Sequence, residues 1–226
     1  VPQQEQQPRT HAVEDYAKAI YVLETRGPDA VSTTALAERL GVTAGSVSAM
    51  LRRLGELELV THKPYRGVRL TESGRRAALE VIRHHRLLEL FLTEVLEVPW
   101  DRVHDEAEVL EHVLSNELAD LIAAKLGNPT RDPHGDPIPT PEFEIDEGEA
   151  VSLADLAPGD RGVFVRVSDS DSAMLRYLGE RGVTPGASLE VVERQPFGGP
   201  LFVRFGSQVH PLGGEIAQAM RVEVAG

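Results

Sequence analysis

The stretch that most limits how this chain can fold runs from Ser32 to Thr71, where the spacing of apolar residues changes period. Leu36, Ala37 and Leu40 form one stripe of a short helix that Ser32 or Thr33 can cap and Gly41 ends. After a short turn, a second helix is expected from about Ala44 to Leu57, with Val47, Met50, Leu51 and Leu54 on its apolar side. Strand-like runs then follow, Leu59–His62 and Val68–Thr71, around the turn Lys63-Pro64-Tyr65-Arg66-Gly67. Upstream, Ala17, Ile20, Tyr21 and Leu23 give a further helix over residues 13–26, with Gly27-Pro28 as its stop. Two short helices packed on a first, followed by a basic two-stranded hairpin, make a winged helix-turn-helix. It is assigned to residues 13–74, and residues 1–12 read as a polar, disordered tail.

Beyond the wing the pattern is helical. Residues 72–97 read as one long helix broken at Val98-Pro99-Trp100, and residues 101–126 as another ending at Gly127-Asn128-Pro129. Both are apolar on more than one side, through Leu87, Leu88, Leu90, Phe91 and Leu92 and through Leu114, Leu118, Leu121 and Ile122. That exceeds what one winged helix can cover, so residues 75–140 are expected to form a helical dimerisation domain. Five prolines and many acids mark residues 128–150 as linker-like, and the linker proper is assigned to 141–150. Over residues 151–226, β-like runs at Gly162–Val167, Ser188–Glu193, Leu201–Phe205 and Ala219–Val224 alternate with Gly/Pro turns, with one helix at about Ser172–Glu180. An SH3-like β-barrel fits. The expected fold class is α+β in three domains.

Charge narrows the function. The formal net charge is −13, which argues against general affinity for nucleic acid. It is unevenly spread: residues 1–75 hold ten Lys/Arg and nine Asp/Glu, a net of +1, and the remainder 13 and 27, a net of −14. The first domain is therefore free to meet DNA. The chain has no cysteine, so disulfides and thiolate sites are excluded. No signal peptide or apolar run of membrane-spanning length is found, and a cytoplasmic location fits.

The chemistry lies in His104-Asp105-Glu106-Ala107-Glu108-Val109-Leu110-Glu111-His112. On a helix, His104, Glu108, Glu111 and His112 would share a sector of about 100°. His85 and Glu89, at i and i+4, share another face, and Glu14-Asp15 open the first helix. The plainer reading is a solvated face. The other is a cation held by converging imidazoles and carboxylates, whose repulsion it would relieve. Oxygen and imidazole donors without sulfur suit Mn, Fe(II) or Zn. A di-metal oxidase would use Glu-x-x-His, and the spacing Glu108-x-x-Glu111-His112 does not meet it; an enzyme is not expected. A winged-helix repressor sensing an organic ligand is the remaining alternative.

At these residues the chain resembles the diphtheria toxin repressor family of metalloregulators. The matching motifs are Glu14-Asp15-Tyr16 with Ile20-Tyr21, the segment Thr43–Leu54, Arg83-His84-His85-Arg86-Leu87-Leu88-Glu89, His104–Glu108 with Glu111-His112, and Pro133-His134-Gly135-Asp136-Pro137-Ile138-Pro139. The resemblance covers about residues 13–140 and is looser in the barrel. It implies a homodimeric, metal-dependent repressor of metal-uptake genes that binds a pseudo-palindromic double-stranded DNA operator. It also implies two metal positions per chain. One would use Asp15, Glu108, Glu111 and His112. The other would use His85, Glu89 and His104, completed from the barrel by Asp171, with Asp169 as its rival. The iron-responsive branch carries Met in place of Asp15 and Cys in place of Glu108. Carboxylates at both positions imply the manganese-responsive branch, with Mn(II) preferred to Fe(II) or another divalent transition metal. Lys18 stands where short manganese sensors carry Glu. For DNA, Thr43, Ser46 and Ser48 are expected at bases, or else as helix caps; Arg52, Arg53, Lys63 and Arg66 are expected at phosphates.

Overall fold

A computed structural model of the chain describes residues 10–25, 27, 30–63 and 66–225. These form two compact units. The first holds the residues up to His84 with Glu111–Leu114 and Pro139–Glu144; the second holds His85–Leu110, Ser115–Ile138 and the residues from Ile145 onward.

The first unit begins with α1 (His11–Glu24), two residues before the expected start. Residues 1–9 of the expected tail lie outside the described residues. Helix α2 (Thr33–Leu40) is capped by Ser32, whose hydroxyl accepts from the Ala35 N–H at 3.1 Å, and ends at Gly41 with φ of 64°. Helix α3 (Ala44–Glu56) is capped by Thr43 in the same way, through the Ser46 N–H. Its buried residues Val47, Leu51 and Leu54 pack with Ile20 of α1 and Leu36 of α2. Each such aliphatic side chain contributes roughly 1.5–3 kcal/mol when fully buried. Strands β1 (Val60–Lys63) and β2 (Gly67–Leu70) form the antiparallel wing, pairing Val60 with Leu70 and Lys63 with Gly67. The wing tip, Pro64-Tyr65, and Pro28 of the expected stop lie outside the described residues. Val31 adds a bridge to Val68. Helix α4 (Glu72–Leu96) starts against the root of the wing, where a Cβ on Gly74 would stand 1.9 Å from the Leu59 carbonyl oxygen.

The second unit contains the rest of α4, two further helices and the barrel. The single helix expected over 101–126 is two: α5 (Val103–Leu110) and α6 (Asn116–Lys125). Ser115 causes the break, because its hydroxyl accepts from the Leu118 N–H at 3.2 Å and starts α6 afresh. Glu111 and His112 therefore lie in a turn and not on a continuous helical face.

The barrel strands are β3 (Val151–Ser152), β4 (Arg161–Val167), β5 (Ser188–Arg194), β6 (Leu201–Phe205), β7 (Gln208–Leu212) and β8 (Met220–Val224). They form an antiparallel sheet in the order β3-β8-β4-β5-β6-β7. Register shifts in β4 and β5 bend it into an SH3-like barrel around Phe164, Val167, Leu178, Val191, Val203 and Met220. Helix α7 (Ser172–Gly179) follows β4, and α8 (Gly214–Ala219) precedes β8.

Residues 131–138 differ most from the linker expectation. Asp132 Oδ1 accepts from the N–H groups of His134 and Asp136, both at 2.9 Å, and the Arg86 guanidinium donates to the Pro137 carbonyl. The His134 carbonyl accepts from Val167 N–H of β4 at 2.9 Å. Gly135, at φ of 88°, sits where a Cβ would meet the Val165 carbonyl oxygen at 1.8 Å. Turn chemistry and close backbone approach fold this segment onto the barrel.

Candidate metal centres

In the first unit, α1 supplies Asp15 and the turn after α5 supplies Glu111 and His112. One donor atom from each lies within 4.8 Å of the others. His112 Nε2 is 2.9 Å from Asp15 Oδ1 and 3.7 Å from Glu111 Oε1. The other ring nitrogen, Nδ1, donates to Glu14 Oε2 at 2.8 Å, and the ring stacks on His11 with centroids 4.6 Å apart. Glu14 therefore fixes the imidazole so that Nε2 faces Asp15, the arrangement by which an outer carboxylate orients a metal-binding histidine. Glu111 is fully buried, and Lys18 donates to both of its oxygens, at 3.0 and 2.8 Å. Glu14 and Lys18 were not among the expected site residues. Their signal is positional: Glu14 is the neighbour of Asp15, and Lys18 stands three residues on, the helical spacing that puts it beside Asp15. Glu108, expected in the same set, belongs to the second unit.

That second unit holds the other cluster. His85 Nε2 is 3.0 Å and His104 Nδ1 3.4 Å from Oε1 of the wholly buried Glu89. Asp169 Oδ2 is 3.1 Å from His104 Nδ1. Donor atoms of these four residues lie within 4.8 Å of one another. Glu108 stands alongside, 3.7 Å from His104 and 3.9 Å from His85.

The barrel residue at this cluster is Asp169, and not Asp171 as expected. Asp171 caps α7, its Oδ1 accepting from the N–H groups of Ala173 and Met174. An acid placed directly before Ser172-Ala173-Met174 at a helix start was the sequence signal for that role, and it leaves Asp169 available.

Charge in the cluster is tightly coupled. Hydrogen bonds to Asp169 and then Glu89 raise His104 to about 10, against the opposing effect of burial. Burial alone would raise Glu89, but His85, His104 and His134 together hold its carboxyl well below the usual range. Asp169 is likewise held low by His104 in spite of its burial. Both clusters offer only carboxylate oxygen and imidazole nitrogen, a donor set that fits Mn, Fe(II) or Zn.

On the first unit, Thr43, Ser46, Ser48, Arg52, Arg53 and Arg66 are all exposed. Thr43 and Ser46 are also joined by hydroxyl contact at 2.9 Å, and the Ser48 hydroxyl donates to the Ala44 carbonyl. Arg53 lies 3.2 Å from Glu56. Lys63 closes β1 at the wing.

A winged helix and imidazole–carboxylate clusters in one chain define the class of metal-dependent transcriptional repressors. Comparison with known proteins specifies it further. Residues 10–68 match the family described as iron dependent repressor, N-terminal DNA binding domain. Residues 71–140 match its metal binding and dimerisation domain, and residues 151–224 match the FeoA domain. The iron-dependent repressor IdeR of Mycobacterium tuberculosis is 35% identical over 222 residues, covering 93% of this chain and 96% of that protein. The diphtheria toxin repressor of Corynebacterium glutamicum is 32% identical over 220 residues, covering 93% and 95%. Among solved structures, a manganese-dependent transcriptional repressor in complex with manganese is 45% identical, with a TM-score of 0.88, covering 94% of this chain and 100% of that one. The chain belongs to the family of iron-dependent and diphtheria toxin repressors. No helix among the described residues is long and apolar enough to cross a membrane.

Proposed function

We propose that this chain is a cytoplasmic manganese sensor whose homodimer grips a pseudo-palindromic operator when Mn(II) is bound, repressing genes of metal uptake. The observation that carries this reading is the meeting of Asp15 with Glu111 and His112. Asp15 belongs to the first helix of the DNA-reading fold, and the other two follow α5, nearly a hundred positions later in the sequence.

A divalent cation held by Asp15, Glu111 and His112 would supply the positive charge that offsets the repulsion between their carboxylates. The protein does the rest. Glu14 holds the His112 ring with Nε2 turned inward. The carboxylates of Asp15 and Glu111 repel one another without a cation between them, and Lys18, which donates to both Glu111 oxygens, offsets part of that repulsion. Fixing α1 against the 111–112 turn limits the angles at which α3 is presented. A dimer then sets its two α3 helices about 34 Å apart, one turn of DNA. Thr43, Ser46 and Ser48 reach the bases, while Arg52, Arg53, Lys63 and Arg66 hold phosphates. Val109 of α5 and Leu118 and Leu121 of α6, 71%, 48% and 62% exposed in the single chain, provide apolar area for the homodimer. The role is regulatory and not catalytic.

Each chain would have two metal positions: Asp15, Glu111 and His112 in the first unit, and His85, Glu89, His104 and Asp169 in the second. Manganese is preferred because Asp15 and Glu108 are hard oxygen donors. Iron is the second reading, favoured by the iron-dependent repressors among the relatives.

The test is operator binding with and without Mn(II), and with Fe(II) under anaerobic conditions, in the parent chain and in Asp15→Ala and His112→Ala. Both variants should lose at least tenfold of the metal-dependent gain in affinity. Metal-dependent binding that survives in both would sink the assignment.

A further inference from the structure

Glu89 has a second oxygen that His85 and His104 leave over. Among the described residues, Glu89 Oε2 and His134 Nδ1 are the buried side-chain atoms that find no hydrogen-bond partner. They face one another at 3.5 Å, and both side chains are wholly buried. The His134 ring is held in place. Its Nε2 donates to the Trp100 carbonyl at 2.8 Å, and the ring stacks on the Trp100 indole at 5.7 Å. Asp132, also buried, forms the third side, with donor atoms of Glu89, Asp132 and His134 within 4.8 Å of one another. Its Oδ1 serves the backbone turn, and its Oδ2 lies 3.9 Å from Arg86 Nε.

The spacing is informative. A direct hydrogen bond would bring the two orphaned atoms to about 2.9 Å. Two donors bound to one cation by bonds of about 2.1 Å stand roughly 3.0–3.4 Å apart at right or tetrahedral angles. Charge agrees with spacing. Two buried carboxylates, those of Glu89 and Asp132, lie close together, with the partly exposed Asp136 beside them. Arg86 and Arg166 approach Asp136, both at 3.4 Å, while Arg86 and the His134 ring stand beside Asp132.

We propose that Glu89, Asp132 and His134 hold an additional divalent cation, with Glu89 as a bridge: Oε2 to this ion, and Oε1 to the ion taken by His85, His104 and Asp169. The proposal rests on reading the latter cluster as a metal position. Two ions sharing one carboxylate in this way stand about 4 Å apart.

The test uses the full chain and Mn(II) alone. Bound ions are counted by equilibrium dialysis, and the bound Mn(II) is observed by electron paramagnetic resonance. The parent should show an exchange-coupled pair, and His134→Gln should bind one ion fewer per chain and lose the coupling. Asp132→Asn keeps an oxygen for the turn N–H groups but removes the charge, so it should weaken the added ion at least tenfold. It also decides the matter if His134→Gln fails to fold by circular dichroism. An unchanged count and no coupled signal in any of these proteins would overturn the proposal. If His104→Gln loses an ion while His134→Gln loses none, the bridge alone is refuted. If His104→Gln loses none, the reading of the His85, Glu89, His104 and Asp169 cluster as a metal position fails with it.

Discussion

His104 shows how single residues set the conditions for metal loading. Without metal its proton is held between Asp169 and Glu89, and its pKa is raised from an ordinary value near 6.5 to about 10. At neutral pH that proton must leave before the nitrogen can bind a cation. Mn(II) affinity at this cluster should therefore rise with pH, by about tenfold per pH unit for each proton released, up to about pH 10. The same shift has the opposite sign for the metal-free fold. The stability contributed by the His104 contacts is present in full below about pH 6.5 and is lost as pH rises through about 10. Calorimetric Mn(II) titrations between about pH 6.5 and pH 8, with thermal melts of the metal-free chain over a wider range, check both signs. Lys18 is a second case. Its ammonium occupies both oxygens of Glu111, so an incoming cation meets a tethered competitor. Lys18→Gln keeps a donor and removes the charge, and Mn(II) should then bind the first position more tightly, on the order of tenfold. Unchanged or weaker affinity would mean that Lys18 only supports the fold. Most first contacts at these clusters were legible in the sequence, because His85, Glu89, His104, Glu111 and His112 are chemistry-bearing types at telling intervals. Asp171 was preferred to its rival Asp169 since the two aspartates stand two positions apart, and only the capping of α7 tells them apart. His134 and Asp132 carried no periodic signal, because a tight turn and not a helix presents them.

Elements were best read where caps and glycines punctuate them. Ser32, Gly41 and Thr43 placed α2 and α3 within a residue or two of their expected bounds. The same rules, applied to Ser115, would have split α5 from α6; the continuous apolar pattern of 101–126 hid the break. In the barrel, β7 and α8 escaped notice because Gln208–Leu212 contains a proline and Gly214–Ala219 is short and opens on glycine. Gly74 gives an element-scale prediction. Helix α4 abuts the wing root only because residue 74 has no side chain, with the Leu59 carbonyl 1.9 Å from the position a Cβ would take. Gly74→Ala should destabilise the winged helix by about 3 kcal/mol. Amide exchange in β1 and β2 should speed up, while protection in the barrel strands stays as it was.

At the scale of the molecule, charge and coupling matter most. A chain of net charge −13 approaches DNA through a first third that is close to neutral. Operator affinity should therefore fall steeply with salt, in proportion to the phosphates held. If metal and operator select one arrangement, each must strengthen the other by the same factor. Calorimetric Mn(II) affinity with and without operator should differ by the factor that Mn(II) adds to operator affinity; a mismatch would separate the metal positions from DNA reading. One earlier detail bears on the whole chain. The bare backbone of Gly135 admits the Val165 carbonyl of β4, while the next strand position but one, Val167, bonds to His134. The barrel is thus part of the wall behind Glu89 as well as the source of Asp169. Truncation before residue 150 would strip that wall away, and the shortened protein would be left with a damaged second cluster and not merely one missing a ligand.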